Sequence, residues 1–190
     1  MSTNSPIPVM RSKPIDSKTI FCITSPRTPF KSIPEIALLD EELNGCIWDK
    51  ETQKQFYYLL RDRDFFESDN EKDPKEPELA GRDRINRLPK ALGFVKLPVI
   101  GLTDAGKELL TSNNKEEILL RQMMKFQLPS PYHPLGKKAA AFWVKPYLEI
   151  LRLIRVLGFL SFDELQIFAM QMVDYKMFDA IVKKIIKFRE

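Results

Sequence analysis

The residues best suited to chemistry are arginines. Arg82, Arg84 and Arg87 fall within two turns of one helix candidate, and Arg82-Asp83-Arg84 is the sharpest local feature. A guanidinium fork binds phosphate or a guanine edge in bidentate fashion, and an intervening carboxylate can orient it. Residues two apart on a helix point in different directions, so such a pair can divide its contacts between a base and the backbone. The competing reading is a solvated face with local ion pairs, and it is preferred for the similar run Arg61-Asp62-Arg63-Asp64, which ends a helix before an acidic loop. Ser25-Pro26-Arg27 places a hydroxyl and a guanidinium on a proline-fixed turn. Both groups can grip phosphate, although the same turn also serves as an ordinary entry into a helix. Lys125-Phe126-Gln127, ahead of Pro129-Ser130, offers a cation and an amide able to pair with adenine, against the plainer reading of a helix-end surface. The candidate nucleic-acid contacts are therefore Ser25, Arg27, Arg82, Arg84, Arg87, Lys125 and Gln127.

Other chemistries find little support. His133, the single histidine, sits in a proline-rich loop without a nameable partner and reads as structural. Cys22 and Cys46 lack the spacing of a zinc site or a disulfide framework, so a reducing cytoplasm is the expected location. The acidic runs Asp40-Glu41-Glu42 and Asp163-Glu164 lie on helix faces or starts. A hydrolytic magnesium site needs separated carboxylates and a lysine on adjoining strands, and strand candidates are too few to build one. There is no P-loop, dinucleotide fingerprint or nucleophile elbow. No catalytic or metal-binding residue is expected.

Bulk properties agree with a nucleic-acid partner without demanding one. The chain has 190 residues, 44% hydrophobic and 29% charged, with a formal net charge of +4. Residues 1–30 carry +3, residues 31–90 carry −4, residues 91–136 carry +1 and residues 137–190 carry +4. Positive ends suit a polyanion, while an acidic middle suits water. No apolar run of about 18 residues occurs, so no membrane span is expected, and no signal peptide is seen at the Ser/Pro-rich start.

The elements that would position these residues are mostly helices. Residues 1–20 read as a flexible arm, and Phe21-Cys22-Ile23 as a short strand. Ser32 with Glu35 predicts a helix start, with Ile36, Leu39 and Leu43 inside and Asn44-Gly45 as the stop. Asp49 caps a second helix whose apolar face is Phe56, Leu59 and Leu60. A polar loop at 67–78 precedes a third helix from Arg82 to Leu92, shortened or kinked by Pro89 and ended by Gly93. Phe94 to Leu102 predicts a tight two-stranded wing broken by Pro98. Thr103 caps a helix through Leu110, and Glu116–Gln127 forms another, with Ile118, Leu119, Met123 and Phe126 inward. After a proline-rich connection, Lys145–Leu157 repeats Leu148, Leu151, Ile154 and Leu157 at helical spacing, and Gly158 ends it. Ser161 with Glu164 opens the next helix, and Asp179–Phe188 closes the chain with Ile181, Val182, Ile185 and Ile186 buried. The expected fold class is mainly α, in two helical units, the first winged-helix-like with a small β wing. The expected organisation is an arm at 1–20, a winged-helix-like unit at 21–127, a linker at 128–140 and a second helical unit at 141–190.

Taken in order, several pieces resemble the N-terminal recognition region of the AlwI-like type IIS restriction endonucleases. They are Ser25-Pro26-Arg27-Thr28-Pro29, Arg82-Asp83-Arg84, Gly93-Phe94-Val95, Leu102-Thr103-Asp104-Ala105-Gly106-Lys107, and Leu120-Arg121-Gln122 running to Lys125-Phe126-Gln127-Leu128-Pro129-Ser130. A weaker likeness continues to Lys187-Phe188-Arg189, so the resemblance spans roughly 21–190. It implies recognition of a short asymmetric sequence in double-stranded DNA and cleavage at a fixed distance. In such enzymes the nuclease half lies C-terminal, belongs to the PD-(D/E)xK class and uses magnesium. No such constellation is found in these residues, so the expectation is a recognition portion without its own cofactor, served by a nuclease on a separate chain or lost. The alternative is a free-standing winged-helix regulator of operator DNA, and a blander third reading is a protein-interaction module.

Overall fold

The computed structural model describes residues 29–66, 74–86, 88–128 and 142–190. The expected arm at 1–20, the strand at 21–23 and all but one residue of the expected linker fall outside these. The described chain is mainly helical with one small antiparallel sheet.

Helix α1 (Ser32–Leu43) opens from a single 3-10 turn, Pro29–Lys31. Its first residue is Ser32 itself, which is buried, and the N-cap position is Lys31 without a side-chain cap bond. The Ser32 cap expected from sequence is thus corrected: the preceding 3-10 turn continues the helical path, so Ser32 never occupies the extended conformation a cap requires. Asn44 ends the helix and Gly45, at φ +82, reverses the chain where a side chain would be strained. Helix α2 (Lys50–Asp62) begins as expected. The Thr52 backbone N–H donates to the Asp49 carboxylate at 2.9 Å and holds that carboxyl below its ordinary value. Gln53, Phe56, Tyr57 and Leu60 form its buried stripe.

The expected third helix is two pieces. Helix α3 (Pro77–Asn86) starts earlier than expected, and α4 (Leu88–Ala91) follows with Pro89 inside a single turn. Proline near a helix start lacks only an N–H that would be unpaired there, so a fresh short helix accommodates it. A small hairpin follows, at the place of the expected wing: β1 (Val95–Lys96) pairs with β2 (Gly101–Leu102), Val95 opposite Leu102 and Lys96 opposite Gly101. The loop after α1 joins it. Ile47 bridges Val99 in antiparallel sense, Gly45 N–H donates to the Ile100 carbonyl at 2.9 Å, and Trp48 N–H donates to the Pro98 carbonyl at 2.7 Å.

Helix α5 (Asp104–Thr111) is capped by Thr103, whose hydroxyl accepts from Gly106 N–H at 3.0 Å. Asn114 caps α6 (Lys115–Lys125), one residue earlier than expected, and Ile118, Leu119 and the following Phe126 are buried. Arg121 reaches from α6 to Glu108 of α5 with two bonds of 3.0 and 3.1 Å. Leu128 then pairs with Val144, and Phe126 meets Tyr147 edge-on at 5.9 Å. That carries the chain to α7 (Pro146–Leu157), α8 (Phe162–Ile167) and α9 (Phe178–Arg189).

Two apolar faces differ from expectation. In α7 the buried positions are Pro146, Glu149 and Leu153, while Leu151 and Ile154 are exposed. In α9 Phe178, Ile181 and Ile185 are buried and Ile186 is exposed. In each case the inward stripe is set by the neighbouring helix: α7 and α9 pack on one another, and Arg152 covers Phe178 at 4.1 Å while pairing with buried Glu149 at 2.7 Å. The Ser161–Glu164 capping box forms in full. Glu164 also accepts from Arg189 at 2.6 and 3.0 Å, and Arg189 further donates to the carbonyls of Leu157 and Phe159.

The fold yields two expectations. A Cβ on Gly106 would lie against the Phe94 carbonyl oxygen, well inside van der Waals contact and with backbone on the other side. Gly106→Ala therefore destabilises the protein by roughly 1–3 kcal/mol, read as a lower urea midpoint. The second concerns acid. Arg189 and the Ser161 N–H hold the Glu164 carboxyl down at about 2, from an ordinary 4.5. A folded-state pKa below the unfolded one adds stability that is fully present above 4.5 and is lost as pH falls toward 2. Urea midpoints of wild type and Arg189→Met should diverge most above pH 4.5 and converge below it; a difference constant from pH 6 to pH 2 refutes the assignment.

Candidate nucleic-acid interface

The arginine-bearing helix is placed by a close backbone crossing. Gly81 of α3 faces the Gln53 carbonyl of α2, where a Cβ would collide with the oxygen. Gly81 and Ile85 are buried, and α3 turns through 100° per residue, so Arg82 and Arg84 leave opposite flanks of that buried stripe. The sequence placed both on one helix; the structure separates their environments.

Arg84 turns inward. It pairs with Glu35 of α1, a buried carboxylate, and its guanidinium lies 4.6 Å from the Phe66 ring centroid. It ties α3 to α1. Arg82 turns outward, 45% exposed, with Asp83 at 3.6 Å as a loose neighbour. Lys96 on β1 is exposed on the adjoining wing, a cation that sequence reasoning passed over because one lysine in a two-residue strand carries no pattern. Arg61 pairs with Asp62 at 3.0 Å and Arg63 with Glu42 at 2.6 Å, all substantially solvated, as expected of a solvated face.

Lys125 and Gln127 are both exposed, at the end of α6 and just beyond it, some forty residues along the chain from Arg82. Gln127 lines an open cleft of about 290 Å³ with Leu128, Trp143, Val144, Lys145, Glu149 and Tyr175. Trp143 and Tyr175 were not anticipated. The alternation of buried Phe142 and Val144 with exposed Trp143 and Lys145 is a strand-like signal that could have pointed to them. Ser25, Arg27 and Arg87 lie outside the described residues.

The magnesium that the resemblance attaches to a nuclease unit can be tested against the side chains present. Among the described residues no three His, Cys, Asp or Glu side chains gather as a metal-holding group. No helix among them is long and apolar enough to cross a membrane.

A family model described as AlwI restriction endonuclease matches residues 90–190. The chain belongs to this family. The AlwI match begins at Lys90 within α4 and takes in the wing, α5, α6 and α7 to α9, more than half of the chain. It includes Lys125 and Gln127 but not Arg82 or Arg84, and is narrower than the resemblance drawn from residue 21 onward. No curated protein matches the sequence.

The inward arginine can be tested independently of any ligand. Arg84→Ala leaves Glu35 buried without its fork and should cost about 2 kcal/mol in urea unfolding. Arg82→Ala, on the solvated flank, should change stability by less than about 0.5 kcal/mol. Equal losses from the two substitutions would contradict the separation of their environments.

Proposed function

We propose that this chain recognises a short sequence in double-stranded DNA, as the recognition portion of a type IIS restriction endonuclease. Cutting is then supplied by a nuclease unit other than the described residues. Membership of a restriction endonuclease family supports a DNA substrate.

The observation that carries the reading is the pairing of the 45–48 segment with the wing. Helix α1, that segment, helices α2 and α3, the short α4, then β1 and β2 follow one another along the chain, and Ile47 bridges Val99. A helix, a bridging strand, two crossing helices and a hairpin are the components of a winged helix. On that reading α3 enters the major groove, Arg82 reads a base edge, and Lys96 meets phosphate beside it. Arg84 holds the reading helix to α1. Ser25, Arg27 and Arg87 serve as phosphate contacts, and Lys125 and Gln127 extend the footprint.

Selection from a random duplex pool, followed by fluorescence anisotropy across a salt series, tests this. Binding should weaken steeply with salt, because phosphate contacts release counterions from the DNA and that release is less favourable at higher salt. Arg82→Ala should lower the ratio of selected to random affinity by roughly tenfold, since an arginine–guanine contact carries about 1–3 kcal/mol of discrimination. Arg27→Ala should weaken both duplexes alike. Salt-insensitive binding, or an unchanged ratio in Arg82→Ala, overturns these roles.

A further inference from the structure

The cleft beside Gln127 has a composition that the groove-reading helix does not explain. Its walls include two aromatic side chains that the fold leaves in solvent, Trp143 at 65% and Tyr175 at 44% exposure. Their backbones are nonetheless fixed. Trp143 N–H donates to the Val173 carbonyl at 2.8 Å, Tyr175 N–H donates to the Trp143 carbonyl at 3.0 Å, and Trp143 bridges Asp174 in parallel sense. Neighbouring Val144 pairs in both directions with Leu128. Large apolar rings held out on a pinned backbone cost solvation without adding to the core.

The polar side chains lining the cleft with the rings are an amide, a lysine and one carboxylate. Gln127 and Lys145 are exposed, and their side chains make no hydrogen bond or ion pair among the described residues. Lys125 and Lys176 are exposed nearby in sequence, Lys176 lying 6.0 Å from the Tyr175 ring centroid. The one carboxylate in the lining, Glu149, is buried and neutralised by Arg152 at 2.7 Å. The cleft, about 290 Å³, sits at the small end of ligand sites. Flat apolar walls, an amide whose side chain has no hydrogen-bond partner among the described residues, and a lysine in the lining match a nucleobase with its phosphate.

We infer that the Trp143–Tyr175 cleft takes one extruded base of the bound DNA, stacking it on Trp143, hydrogen-bonding its edge to Gln127 and holding the adjoining phosphate at Lys145. The inference rests on the reading of the chain as a DNA-binding protein. It adds that recognition includes an unstacked nucleotide, which costs least where the base is already unpaired.

The test compares a fully paired duplex with the same duplex carrying one bulged base, by anisotropy and by tryptophan emission of the full chain. Wild type should bind the bulged duplex roughly tenfold tighter and lose Trp143 emission on binding. The sequence has two tryptophans, so Trp143→Phe leaves only Trp48 and should show no such quenching while keeping most of the preference. Trp143→Ala should abolish the preference and leave paired-duplex affinity within about twofold, and Lys145→Gln should reduce it. Equal affinity of wild type for both duplexes, or an intact preference in Trp143→Ala, overturns the inference while duplex binding still stands. Should Trp143→Ala lose paired binding as well, Trp143→Phe decides: retained preference supports the site and a lost one refutes it. Failure of wild type to bind either duplex defeats the underlying DNA reading, and the cleft assignment with it.

Discussion

The wing and the helix behind it depend on one hydroxyl. Thr103 donates to the Gly93 carbonyl at 2.6 Å and accepts from Gly106 N–H at 3.0 Å, while its own N–H donates to the Phe94 carbonyl at 3.0 Å. A single side chain thus closes the hairpin at its base and starts α5. The arrangement works only because residue 106 has no Cβ, so that α5 can press its backbone onto Phe94. Phe94 is itself fully buried, and Phe94 N–H donates to the Pro89 carbonyl of α4 at 2.8 Å. Through these contacts the short helix after α3, the hairpin and α5 form one mechanical piece, and a hydroxyl whose bonding capacity is well used is worth more than one cap's usual contribution.

Features encoded in adjacent residues were the legible ones. Asp49, Thr103 and the Ser161–Glu164 pair cap helices as their spacing predicts, because a cap satisfies backbone N–H groups two or three residues away. The two-stranded hairpin was legible for a similar reason: Pro98 interrupts an apolar run and forces a turn. Distant relations were not legible. Nothing near Arg84 announces Glu35, which lies 49 residues earlier, so a residue that looks like a DNA contact in sequence is also a buried-pair member in space. Leu151, Ile154 and Ile186 keep helical spacing yet face solvent, because periodicity identifies a stripe and only packing decides which stripe is covered. The cleft at Gln127 needs three segments brought together by the Leu128–Val144 and Trp143–Asp174 bridges, which no local pattern encodes.

Family membership and geometry divide the molecule differently. The matched stretch starts at Lys90 and holds the wing, the Thr103 tie and the aromatic cleft. Helices α1 to α3, with the exposed Arg82, lie ahead of it. The two parts are nevertheless packed as one around the hairpin, since Ile36, Leu39 and Leu43 of α1 share a core with Leu102 and Leu109. A region that family likeness does not cover is thereby held rigidly to one that it does.

The bond between the α1–α2 loop and the wing has a mechanical consequence. Gly45, Cys46 and Trp48 are hydrogen-bonded across to Ile100 and Pro98, so both sides of the hairpin tip are anchored, one to β2 and one to the end of α1. A free hairpin bends easily; this one is braced like a shelf on two brackets. A partner resting on it cannot draw the wing inward without breaking those bonds or dragging α1 along. If the hairpin lies against a duplex as proposed, misfit between groove and hairpin would be taken up by the duplex, whose bending and groove width vary with sequence. Stiffness at Ile47 and Val99 would turn the deformability of base steps that no side chain touches into part of what is selected.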